Sequence, residues 1–180
     1  MVKSFNVALI GQSFMGRAHS NAWGQAPRFF ELPARPVMHT VVARNAEALE
    51  VFAERFGWAN WTTDVGALAR DGEVDLVDVS TPNDSHRSLS VRMLEAGKHV
   101  ACEKPLARTL REAREMRDAA RKAKGCKTFV WFNYRRCPAV ALAYKIIRSG
   151  RLGEIYHVRA SYLQGWGGPA TPLLWRFQKG

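Results

Sequence analysis

Apolar and polar positions along the chain follow two alternating rhythms. Phe5-Asn6-Val7-Ala8-Leu9-Ile10 is a compact apolar run closed by Gly11, as expected of a strand buried on both faces. Residues 14–25 carry a helical pattern, and the β-branched stretch 36–42 predicts a second strand. Asn45 is placed to cap a helix whose apolar face is Leu49, Phe52, Ala53 and Phe56, with Gly57 as its stop. Residues 64–70 predict a short helix, 75–80 a strand, 84–96 a helix stopped by Gly97, and 98–102 a further strand. Thr109-Leu110-Arg111-Glu112 has the Thr-x-x-Glu spacing of a capping box. It opens a helix to Lys124 with Ala113, Met116, Ala120 and Ala123 on its apolar stripe. Residues 127–132 close the series as one more strand.

Strands separated by helices pair in parallel, because each helix supplies the crossover that parallel pairing needs. The order therefore predicts an α/β fold, a Rossmann-like doubly wound parallel sheet with right-handed crossovers. After Phe132 the rhythm changes. Pro138 suits the first residue of a helix running to Ser149, stopped by Gly150. Residues 155–163 alternate, with Tyr156, Val158, Ala160 and Tyr162 on one face and His157, Arg159 and Ser161 on the other. That predicts a strand covered on one side. No partner strand follows, and 165–180 are rich in Gly, Pro and Trp. We expect a first domain over 1–133 and, over 134–180, the truncated start of a second, open-sheet α/β domain.

Composition narrows the function classes. Hydrophobic residues make up 47% and charged residues 24%, which excludes wholesale disorder. Lys and Arg number 27 against 16 Asp and Glu, a formal net charge of +11. The basic residues are dispersed, and the densest stretch, 108–124, also holds Glu112, Glu115 and Asp118. Such mixing describes a solvated helix face, not a nucleic-acid patch, and small anionic ligands suit the charge equally. Cys102, Cys126 and Cys137 form no CxxC pair and no zinc-finger spacing with a histidine, so no metal site is expected. Reduced thiols fit a cytoplasmic protein. Residues 1–16 lack the charged start and long apolar region of a signal peptide, and no apolar run reaches the roughly 18 residues of a membrane span.

Candidate chemistry gathers at one edge of the predicted sheet. In doubly wound folds ligands bind beyond the carboxyl ends of the strands. The first strand ends in Gly11-Gln12-Ser13-Phe14-Met15-Gly16, one residue short of the GxGxxG dinucleotide fingerprint. Gly11 permits the tight turn, and Gly16 lets helix and strand pack closely; Ser13 stands where a second glycine usually admits a pyrophosphate. The helix N-terminus still offers free N–H groups to an anion. The second strand ends in Arg44 and Asn45 with no acidic residue to bind a ribose 2′-hydroxyl. Arg44 can accept a 2′-phosphate, which favours NADP over NAD.

Thr81, Pro82 and Asn83, with His86 a turn later, follow another strand, and Glu103-Lys104-Pro105 follows the next. Pro105 fixes its own φ and can take a cis bond that aims Lys104, whose ammonium could hold a substrate hydroxyl. His19 and His157 are further candidates, read more readily as polar surface positions, and Trp166 and Trp175 could line a sugar site.

Taken together these residues resemble the glucose-fructose oxidoreductase / inositol dehydrogenase / MocA-like (Gfo/Idh/MocA) oxidoreductases. The resemblance is carried by Gly-Gln-Ser-Phe-Met-Gly-Arg-Ala-His-Ser-Asn-Ala-Trp at 11–23, Thr-Pro-Asn-Asp-Ser-His at 81–86, Glu-Lys-Pro at 103–105 and Asn-Tyr-Arg-Arg-Cys-Pro-Ala-Val at 133–140. It implies a Rossmann domain followed by an α/β domain on a large open sheet, and oxidation of a sugar, polyol or related carbinol by NAD(P). It casts Lys104 as the catalytic lysine, and it sets the 81–86 loop and Glu103 around the nicotinamide ribose. Tyr134 and Arg135 match positions near the substrate. It further implies an Asp and a His beyond the Trp175-Arg176 pair, the His a proton acceptor, so we expect this chain to bind cofactor with little or no turnover. A homo-oligomer is expected where the second domain is complete. Two other readings share part of these observations. A non-catalytic NAD(P)-binding module would use the Gly11–Gly16 loop without needing Lys104, and a basic nucleic-acid-binding protein would use the charge alone.

Overall fold

The computed structural model describes residues 3–165, 168 and 170–172. The chain divides after Tyr134 into two compact units. In the first, β1 (Lys3–Ile10), β2 (Ala34–Val42), β3 (Asn60–Thr62), β4 (Leu76–Val79), β5 (His99–Cys102) and β6 (Thr128–Val130) pair in parallel as one six-stranded sheet, in the order β3-β2-β1-β4-β5-β6. Helices α1 (Phe14–Phe29), α2 (Ala46–Phe56), α3 (Val65–Arg70), α4 (His86–Glu95) and α5 (Leu110–Lys122) supply the crossovers. The doubly wound α/β reading is borne out.

Burial on both faces explains why the strands read as continuous apolar runs. Successive side chains of β1 point to opposite faces. Val7 and Leu9 join Leu49, Phe52, Ala53 and Trp58 in one core cluster. Ala8 and Ile10 join Leu68, Met93, Leu94 and Met116 in the other. Leu9 is fully buried, and truncating it to alanine should cost about 3 kcal/mol. Helix ends follow local chemistry. Asn45 Oδ1 accepts from Ala48 N at 3.0 Å, and Gly57 closes α2 at φ +77°, a left-handed conformation open to glycine. The Thr109–Glu112 capping box forms in both directions, at 3.2 Å each way.

Boundaries move by a few residues from the sequence expectation. Helix α1 continues past Gln25 to Phe29 with Pro27 in its last turn, α5 stops at Lys122, and β6 is confined to 128–130. In the second unit α6 spans Pro138–Arg148, opening on Pro138 as expected, with Ser149 as its C-cap. The strand expected over 155–163 is corrected: those residues form no strand, and their side chains are exposed. Alternation marks two faces, but a strand also needs a neighbouring backbone to bond, and none pairs with it among the described residues.

Candidate functional site

β1 and β4 lie side by side, yet the chain leaves β1 toward β2 and leaves β4 toward β5 on the opposite side. Their carboxyl ends therefore open the crevice that doubly wound sheets use for ligands. Gly11 sits in it at φ +120°. Its N–H donates to the Val42 carbonyl at 2.9 Å, while Ser80 N donates to the Ile10 carbonyl at 2.9 Å. The turn is thus stitched to strands on both sides. A Cβ at Gly11 would stand 2.6 Å from Ser80 Oγ, and one at Gly16 would overlap the Gly11 carbonyl oxygen. Both positions need glycine for contact, and Gly11 needs it for backbone conformation as well.

The rest of this turn is open. Ser13 is the N-cap of α1 in an extended conformation, its side chain makes no cap hydrogen bond, and no acidic residue occupies the first turn. The free N–H groups there favour an anion. Gln12 Oε1 is buried with no hydrogen-bond partner among the described residues. A buried acceptor left unmet is costly, and a ligand hydroxyl or amide would satisfy it. Phe14 is exposed and Met15 half-buried. Arg44 is exposed at the end of β2.

Loops after β4 and β5 are tied together. Thr81 Oγ1 lies 2.7 Å from Ser85 Oγ, and the Ser85 hydroxyl is also 2.7 Å from the Pro82 carbonyl. Pro82 is exposed and Asn83 half-buried. His86 is 1% exposed; its Nε2 is 2.8 Å from the Thr81 carbonyl and its Nδ1 3.0 Å from the Pro105 carbonyl. It spans the two loops instead of facing solvent. Lys104 is exposed, its bond to Pro105 is cis, and its N–H donates to Glu103 Oε2 at 2.9 Å.

Beneath Lys104 lies a charged cluster that the sequence does not announce. Asp78 of β4 is fully buried. Its Oδ2 accepts from Trp23 Nε1 at 2.8 Å and lies 2.9 Å from His19 Nδ1, and its Oδ1 accepts from Trp131 Nε1 at 2.9 Å. His19 Nε2 is 3.2 Å from Glu103 Oε1. Burial alone would lower the His19 pKa, but Asp78 and Glu103 outweigh it and hold the ring's pKa up at about 9. Burial would likewise raise the Glu103 pKa, and the bonds from His19 and the Lys104 N–H carry it below the ordinary carboxylate value. His19 is therefore an imidazolium between two carboxylates at neutral pH.

The remaining candidates follow β6, belong to the second unit or fall outside the described residues. Tyr134 is exposed at the end of the first unit, its N–H donating to Asn133 Oδ1 at 3.0 Å. Arg135 belongs to the second unit, as does the exposed His157. Trp166 and Trp175 fall outside the described residues. Among the described residues no group of three or more His, Cys, Asp or Glu is placed to hold a metal, and no helix is long and apolar enough to cross a membrane.

Comparison with known proteins adds an independent line. A family model described as an oxidoreductase family with an NAD-binding Rossmann fold, GFO_IDH_MocA, matches residues 5–132. The levoglucosan dehydrogenase of Pseudarthrobacter phenanthrenivorans is 47% identical over 180 residues, covering 99% of this chain and 46% of that protein. The D-apiose dehydrogenase of Paraburkholderia graminis is 32% identical over 161 residues, or 89% and 41% of the two chains. A solved levoglucosan dehydrogenase in complex with NADH matches with a TM-score of 0.93 at 47% identity, covering 98% of this chain and 48% of that one. An oxidoreductase domain protein from Kribbella flavida matches with a TM-score of 0.93 at 49% identity, over 97% and 47%. The chain spans about half the length of the relatives it matches.

Proposed function

The chain belongs to the Gfo/Idh/MocA oxidoreductases, and we propose that it is the nucleotide-binding half of an NAD(P)-dependent dehydrogenase of the sugar or polyol type. One observation carries the reading. The crevice between β1 and β4 is lined by a turn in which two glycines clear the space that side chains would fill, and Lys104 stands exposed at the end of β5. Residues 1–133 act as the NAD(P)-binding domain, and 134–180 open the domain that completes the substrate site and the oligomer. The whole protein works in the cytoplasm, in keeping with the free cysteines Cys102, Cys126 and Cys137.

The residues present fit a dinucleotide. Its pyrophosphate would be held by the Gly11–Gly16 turn, where Gln12, Ser13, Phe14 and Met15 complete the loop and the α1 N-terminus favours negative charge. Thr81, Pro82, Asn83 and Glu103 would hold its nicotinamide end, and His86 ties their two loops together. When bound, the cofactor supplies a hydride acceptor or donor. Lys104 then orients the reacting hydroxyl and lowers the cost of removing its proton. Tyr134 and Arg135 contribute to the substrate side. A polypeptide of these 180 residues binds cofactor with little or no turnover, since the resemblance sets an Asp and a proton-accepting His beyond residue 176.

Arg44 supports a preference for NADP(H); the similar levoglucosan dehydrogenase, solved with NADH, makes NAD(H) the direct competitor. Titrating the chain with NADPH and NADH while following nicotinamide fluorescence decides between them. Tighter NADPH binding that is lost in Arg44→Ala supports the preference; tighter NADH binding overturns it. That relative's name makes small cyclic sugars the first substrates to assay on the whole protein. Saturable binding of neither cofactor by the folded chain overturns the functional reading.

A further inference from the structure

The cluster beneath Lys104 does more than the proposed function asks of it. Burying a carboxylate is unfavourable unless donors or a cation compensate it. Asp78 is 0% exposed and Glu103 5%. Asp78 is met by two indole N–H groups and one imidazole nitrogen, and Glu103 by the other imidazole nitrogen and the Lys104 N–H. His19, on α1, is the one side chain among the described residues that contacts both carboxylates. The Trp131 ring stands edge-on to it at 5.3 Å, so the position of the ring is set by packing as well as by charge.

Charge arithmetic makes the histidine decisive. Two carboxylates and one imidazolium leave one net negative charge; without the histidine two like charges share a buried site. Glu103 would then take up a proton or swing toward solvent. Either change weakens or breaks its bond to the Lys104 N–H, because a carboxylate accepts more strongly than a carboxylic acid.

We propose that His19 is a positioning residue that, through its two ring N–H groups, clamps Glu103 to Asp78 and so fixes the backbone from which Lys104 projects. Its catalytic consequence rests on the reading of Lys104 given above; the clamp itself rests on the two distances and on the charge of the buried cluster. The charged groups that face His19 are Asp78 from β4 and Glu103 after β5, while Trp23 and Trp131 are uncharged. Lys104 carries the next charge beyond Glu103.

Carbon-detected NMR of the isotope-labelled chain tests this without relying on turnover. In the wild-type protein the Lys104 carbonyl carbon should follow the same transition, near pH 9, as the His19 ring carbons. His19→Gln should abolish that transition and weaken NADH binding by about tenfold. Adding Asp78→Asn removes one negative charge with the lost positive one, and the His19→Gln/Asp78→Asn pair should bring the Lys104 shift and the affinity back to within about threefold of wild type. A merely space-filling histidine would not be rescued in this way. Wild-type Lys104 carbons that ignore the His19 transition overturn the proposal even if the variants fail to fold. A folded His19→Gln chain with wild-type shifts and affinity also overturns it. Should the wild-type chain bind no NADH, the cofactor reading fails, while the Lys104 shifts still decide the clamp.

Discussion

Two turns at the same sheet edge are built on opposite principles. The turn after β1, Gly11–Gly16, is shaped by what is missing: no side chain stands between Gly11 and Ser80 or between Gly16 and the Gly11 carbonyl. The segment after β5, Glu103–Pro105, is shaped by what is present: a carboxylate held by His19 and bonded to the Lys104 amide, and a proline carbonyl held by His86. Added atoms should break the first and removed atoms the second. A backbone can approach an anion closely only where it is bare, whereas a lysine can be aimed only from a backbone that is held.

Gly11→Val gives the largest expected effect. It forces a β-branched residue into φ +120° and into Ser80, so NADH affinity should fall by at least about a thousandfold and stability by about 3 kcal/mol, read by fluorescence titration and thermal melting. Lys104→Ala tests the other turn. In the whole protein turnover should fall by about a hundredfold to a thousandfold, while the affinity of the chain for NADH stays within about threefold. Equal losses in both assays would erase the contrast between the turns.

The pH dependence of stability follows from the clamp. His19 has its pKa raised from 6.5 to about 9, so the stability it contributes is fully present below about pH 6.5 and is lost as pH rises through about 9. The loss is at most about 3 kcal/mol. Glu103 is shifted the other way: its contribution is present above its ordinary 4.5 and is lost as pH falls through its lower folded value. Melting temperature should therefore hold a plateau between about pH 5 and 6.5 and fall on both sides, and His19→Gln should remove the alkaline fall. The smallest effect is at Arg44: Arg44→Ala should weaken NADPH binding by about tenfold and leave NADH within about twofold.

Much of this was legible in the chain. Apolar runs closed by glycine or polar residues locate five of the six strands but not the three-residue β3, Asn60–Thr62, which has no apolar run; the Thr109–Glu112 box locates the start of α5, and the Gly11–Gly16 and Glu103–Pro105 segments fall at the carboxyl edge. The clamp was not legible, for a physical reason. Asp78 lies inside Leu76-Val77-Asp78-Val79, where its strand pattern hides its partners, and those partners come from α1 and from Trp131, just beyond β6, 53 to 59 residues away. Only the sheet order brings them together. The buried aspartate in an otherwise apolar strand was the available signal, since such a group needs donors. His86 stands out in the sequence a turn after Thr81-Pro82-Asn83, but spacing does not show its burial between two carbonyls. The alternation at 155–163 misled because periodicity specifies faces and leaves pairing unspecified.

The nucleotide site is tested most directly by mapping, through backbone amide shifts, where NADH touches the folded chain. Saturable shifts should concentrate at residues 11–16, at 81–83 and at 103–104, and all should be lost in Gly11→Val. Saturable shifts that bypass these three segments, for example along the groove between α4 and α5 lined by Arg87, Glu115 and Lys122, would contradict it.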